Sequence, residues 1–141
     1  MNPKSLIITI IVAFVTVWMT DFLIHGLWLA GTYKATASLW RPESEMVAHM
    51  PWMLLGQFLA AAAFTLIFAA CVAEKRCINC SIKYAASMGI FAGAGQIIMY
   101  AVEPYPGLLV AKWFFAGIVQ AVLLGVIVHK VYKPADIAAD K

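Results

Sequence analysis

Residues 6–30 read LIITIIVAFVTVWMTDFLIHGLWLA, and this stretch decides the fold. A bilayer core of ~30 Å is crossed by about 20 helical residues. The run is longer than that, so the sequence predicts a transmembrane helix over about residues 5–30 that tilts or extends past the bilayer. Two ionisable residues interrupt it. Asp21 and His25 stand four apart, which on a helix places them on one face a turn apart. Ionisable side chains at membrane depth are expensive, and a functional site is their default reading.

The rest of the chain has the same character. Of its 141 residues 64% are hydrophobic and 12% charged, and the mean hydropathy is +0.87. Soluble domains run at roughly 45–50% apolar and 25% charged, so a soluble core cannot absorb this excess. The net charge of +3 is spread over loops and tails without a basic stripe, which argues against nucleic acid as a partner. Three cysteines are too few for a disulfide scaffold. Lys4 followed by an apolar run imitates a secretory signal. The run continues past the ~7–15 residues of a signal core, with no small-residue cleavage site, so a retained helix is expected.

Three further apolar runs are long enough to span, over about residues 51–73, 84–102 and 108–132. Pro51 suits the first turn of a helix, and Glu103-Pro104-Tyr105-Pro106-Gly107 forms a helix-ending turn. The expected fold is therefore all-α, a single four-helix transmembrane bundle over residues 1–141 with a tail at 133–141. Lys4, Lys75, Arg76, Lys83, Lys130, Lys133 and Lys141 fall on one side of it. Lys34, Arg41 and Lys112 fall on the other. The positive-inside rule then puts both termini in the cytoplasm of a multi-pass inner-membrane protein. Trp28, Tyr33, Trp40, Trp52, Tyr100, Tyr105 and Trp113 lie near the outer boundary, where aromatic rings anchor. In the outer connection, residues 39–46 predict a short interfacial helix begun by Pro42, with Glu43 and Glu45 suiting its dipole.

Small residues recur at spacing four: Gly56, Ala60 and nearby Ala63 in the second run, Ala85, Gly89 and Gly93 (with Gly95 nearby) in the third, Gly117, Ala121 and Gly125 in the fourth. Such stripes let helix backbones approach closely. They predict a compact bundle, or a homodimer interface on one stripe. Besides the lipid bilayer, the expected partner is a second copy or a larger membrane complex.

Asp21, His25, Gln57, Gln96, Glu103 and Lys112 all fall toward the outer half of the bundle. Trp18 and Trp28 share the Asp21–His25 face as aromatic walls. These eight residues form the candidate ligand-binding site, and three readings of it compete. The polar groups bond one another, with Glu103 pairing Lys112, and are structural. Alternatively the cluster is a small-molecule or proton site opening outward, since a histidine beside a carboxylate titrates near neutral pH. A divalent metal held by Asp21, His25, His49 and Glu103 is the weakest reading. Cys77-Ile78-Asn79-Cys80 is a C-x-x-C between basic residues, suited to a thiol-redox pair or soft-metal handling. It is a single pair, and membrane thiol oxidases and mercury transporters carry a second. Cys71 lies inside the second helix and reads as packing.

No P-loop, dinucleotide fingerprint, H-E-x-x-H or G-x-S-x-G occurs. The stretch 39–46, LWRPESEM, followed by 50–57, MPWMLLGQ, with Asp21-Phe22-Leu23-Ile24-His25-Gly26, resembles a group of short bacterial inner-membrane proteins of unknown function. The resemblance covers the first half of the chain. It implies a four-helix membrane protein and supplies no activity. The sequence therefore points to a small non-enzymatic membrane protein that binds or conducts a small ligand or proton. The alternatives are an accessory subunit of a larger complex and a thiol-redox or soft-metal protein. Cofactors are left open.

Overall fold

The computed structural model describes residues 1–135. Its backbone is helical almost throughout, with no strand among the described residues. Four helices are long and apolar enough to cross a membrane: α1 (Pro3–Trp28), α3 (Glu43–Cys71), α4 (Ile78–Val102) and α5 (Gly107–Val131). A short α2 (Ala30–Ala35) follows α1. Each helix carries exposed large apolar side chains, among them Ile11, Leu59, Phe91 and Val119. That outward apolar surface fits contact with lipid.

Local sequence sets the ends. Asn2 accepts a hydrogen bond from the Ser5 amide at 3.1 Å, and Pro3 occupies the first turn of α1, where its missing N–H costs nothing. From Phe22 to Trp28 the helix widens to π geometry, an uncommon form often found at functional sites. It spans His25 and begins just after Asp21. The α4–α5 turn follows from Pro104 and Pro106, neither of which can continue α4.

The second spanning helix differs from the expected 51–73. It runs without interruption from Glu43, with Pro42 as its cap and Pro51 inside it. The predicted interfacial helix at 39–46 is thus partly its first turns. Residues 43–53 are all exposed, so no neighbour forces a break where Pro51 removes one helical hydrogen bond. Arg41 and Glu45 form an exposed 3.5 Å ion pair across the start. The outer connection instead holds α2 and a single 3-10 turn at Ala37–Leu39. Of the expected tail, residues 136–141 lie outside the described residues.

α4 and α5 pack closest. A Cβ on Gly89 would stand 2.9 Å from the Ile118 Cα, and one on Gly125 would collide with the Ala85 side chain. One on Gly93 would meet the Phe114 ring at 2.7 Å. Absence of a side chain is therefore required at these positions. The stripes contribute unequally, because a Cβ on Gly56, Gly95 or Gly117 would meet nothing within 4 Å. α3 joins α4 through the Tyr84 hydroxyl, which donates to the Phe64 carbonyl at 2.6 Å. Phe68, Leu124, Val128 and Tyr132 fill the core at that end. α1 lies against both α3 and α5, which brings its polar face to theirs.

Candidate functional site

Asp21 is partly buried where α1 meets α3 and α5. Gln57 of α3 donates its amide Nε2 to Asp21 Oδ2 at 2.6 Å. Gln120 of α5 donates its own to Asp21 Oδ1 at 2.7 Å. The second hydrogen of Gln120 Nε2 is directed at Thr20 Oγ1, 2.6 Å away. Thr20 passes its own proton to the Thr16 carbonyl at 2.7 Å. Three helices therefore hold one carboxylate with neutral amides. No ion pair to Asp21 forms among the described residues. Gln57 Oε1 is buried and lacks a partner among them.

One turn along α1, His25 Nδ1 lies 2.6 Å from the Tyr33 hydroxyl of α2. Trp113 Nε1 donates to the same hydroxyl at 2.8 Å. An indole N–H can only donate, so the Tyr33 oxygen accepts from Trp113, and its own proton remains to give to His25. Burial raises the Tyr33 pKa above the usual tyrosine value. The Trp113 bond opposes that shift, and the Asp21 charge adds to it. Tyr33 thus stays a neutral hydroxyl at physiological pH. His25 bonds Tyr33 and makes no hydrogen bond to Asp21.

Tyr33, Trp40, Tyr105 and Trp113 stack around this hydroxyl with ring centres 5.3–6.4 Å apart. Trp40 is held in place by donating to Thr36 Oγ1 at 3.0 Å. A groove of about 420 Å³ opens beside the carboxylate between α1 and α5, with Thr20 and Gln120 in its otherwise apolar wall.

The eight expected ligand-binding residues separate into groups. Asp21 and Gln57 are bonded directly, with His25 next to them. Trp28 instead lies under Lys112, whose Nζ is 5.7 Å from the ring centre, a cation–π contact. Trp18 is 46% exposed and turned away from the core. Gln96 and Glu103 are exposed and make no side-chain bond to the cluster. The expected Glu103–Lys112 pair does not form, and Lys112 lies over the Trp28 ring instead. Gln96 shares the helix face of Gly89 and Gly93, but residues 94–104 are all exposed, so at this end α4 has no close neighbour for Gln96 to bond. No group of three or more metal-ligating side chains occurs among the described residues. Asp21, His25, His49 and Glu103 are thus not gathered into a cage. His49 instead bonds the Glu45 carbonyl at 2.8 Å within its own helix.

Gln120 is the member that sequence reasoning missed. The available signal was an amide in mid-span. Counting ~1.5 Å per residue from Gly107 puts Gln120 about 20 Å along α5, and the same count from Glu43 puts Gln57 about 21 Å along α3. Both lie near mid-helix, so the cluster sits deeper in the bundle than an outer layer.

No protein-family profile, characterised protein or solved structure matches the chain.

Proposed function

We propose that this is a small, non-enzymatic protein of the bacterial inner membrane, with both termini in the cytoplasm, that binds an exchangeable proton at Asp21. The observation that carries the reading is a carboxylate between three helices, held by two glutamines and, among the described residues, by no cation, beside an orphaned Gln57 Oε1. A glutamine offers a donor and an acceptor at one end. With Asp21 ionised, Gln57 Nε2 donates to it. With Asp21 protonated, a turn of the Gln57 amide presents Oε1 as acceptor for the new O–H. The orphaned oxygen is then the partner of the second protonation state. His25, bonded to the neutral Tyr33 hydroxyl, is the group through which the proton arrives from the aromatic end of the bundle.

Infrared difference spectra of the protein in lipid vesicles, taken between acid and alkaline pH, test this. A protonated-carboxyl band that disappears in Asp21→Asn, with helical content unchanged, is the expected result. A spectrum identical in wild type and Asp21→Asn would refute the reading.

A second reading, an accessory subunit or homodimer, is favoured by Gln96. It is an exposed amide at the uncovered end of α4, where residues 94–104 are all exposed, and in lipid such a group gains from a partner helix. Gentle extraction followed by native mass spectrometry distinguishes the two. A stoichiometric partner lost in Gln96→Leu supports assembly, and a monomer in both forms removes it.

A further inference from the structure

The C-x-x-C lies far in sequence from Asp21 and plays no part in the proton reading. Its cysteines are not loosely placed. Cys77 is the cap residue of α4, and Cys80 is in the first turn. The Cys80 amide donates to Cys77 Sγ at 3.2 Å, which sets the two cysteines one helical turn apart at the start of α4. The Cys77 backbone is fixed as well, because its carbonyl accepts from the Ser81 amide and hydroxyl, each at 3.1 Å. Ser81 is in turn bonded to His129 of α5 at 2.9 Å. Cys77 is partly exposed, so a small reagent reaches it.

We propose that Cys77 and Cys80 are a redox-active dithiol that reduces low-molecular-weight disulfides, with Cys77 as nucleophile and Cys80 as resolving thiol. The charge placement is that of an activated thiol. The helix N-terminus carries roughly half a positive charge, Lys83 stands on the same helix, and Lys75 and Arg76 precede the cap. Hydrogen bonding from the Cys80 thiol, then from the Cys80 amide, lowers the Cys77 pKa, and Lys83 adds to the effect. In the first step the Cys77 thiolate attacks a disulfide RSSR, forming Cys77–S–SR and releasing RS⁻. In the second, Cys80 loses its proton and attacks Cys77 Sγ, releasing the second RS⁻. The two protons from the cysteines complete two RSH, and the pair is left as a Cys77–Cys80 disulfide, oxidised by two electrons. The thiolate is the attacking form, so its stabilisation at Cys77 favours attack by Cys77 over Cys80.

The full-length protein in detergent, exposed to glutathione disulfide and mapped by mass spectrometry, decides the matter. Wild type should lose two hydrogens between residues 77 and 80. Cys80→Ser should trap glutathione on Cys77, whereas Cys77→Ser should trap on the order of tenfold less on Cys80, because attack follows thiolate fraction. Serine is a good helix cap, so both variants keep α4. Absence of the internal disulfide, or equal trapping in the two variants, overturns the assignment. Either result leaves the Asp21 reading untouched, because no step involves that end of α1.

Discussion

The α4–α5 seam and the layer joining α1 to α3 and α5 are built on opposite principles. Along the seam, Gly89 and Gly125 bring backbone and small side chains into contact, and Gly93 makes room for the Phe114 ring. In the layer, contact is made by side-chain amides on a carboxylate. Lipid tails are as apolar as the seam, so its cohesion comes from close packing. The layer holds an ionisable side chain inside an apolar bundle, where such groups are costly. The difference teaches where to look for function. A seam of glycines needs no explanation beyond packing, whereas a bundle does not need a carboxylate at its centre.

Substitutions that separate the two are the sharpest test. The largest effect on stability is expected at Gly125→Leu. Overpacking there should cost about 1–3 kcal/mol or more, read as earlier unfolding in a denaturant titration in micelles. Gly117→Leu, on the same stripe but with open space over it, should stay within ~0.5 kcal/mol. Equal losses at both would mean the seam is not the tight element.

Within the layer, Gln120→Ala should cost about 1 kcal/mol, the scale of a polar bond between membrane helices. Gln96→Ala should be nearly silent in the monomer. A larger loss at Gln96 would show that it has a partner helix. Asp21→Asn should change stability by a similar small amount while abolishing the carboxyl titration, which separates structural from chemical importance.

The smallest effect lies at the aromatic end. Tyr33 ionises later than free tyrosine, so the folded protein holds its proton where the unfolded chain has begun to lose it. The sign follows: stability is unaffected below a pH of about 10 and declines as pH rises toward the elevated folded value. Ultraviolet titration should show Tyr33 among the late phenols, and Trp113→Phe, which removes an N–H donor to that oxygen, should move its step later still. An earlier transition in Trp113→Phe would contradict the hydrogen-bond pattern.

Much of this was legible in the sequence, for identifiable reasons. Four apolar runs predict four spanning helices because length and hydropathy alone decide the matter. Asp21 and Gln57 stand out as polar groups in apolar runs. Gln96 looks equivalent to Gln57 in sequence, and what separates them is that residues 94–104 are all exposed, an uncovered helix end that depends on how far the neighbouring helices reach. No local pattern distinguishes the packed stripe of Gly89 and Gly93 from that of Gly56. Pro51 misplaced the start of α3 because an exposed face tolerates a proline that a packed one would not. The connection between Tyr33 and Trp113, 80 positions apart, is invisible to any local reading.

The most direct measurement is a pH titration by NMR in lipid nanodiscs, following the Asp21 side-chain carboxyl and the side-chain amides of Gln57 and Gln120 together. The account predicts that the Asp21 carboxyl and the Gln57 amide shift with one common midpoint, as the amide turns from donating to accepting. A carboxyl that never titrates, or one that titrates while the Gln57 amide stays unchanged, would contradict it.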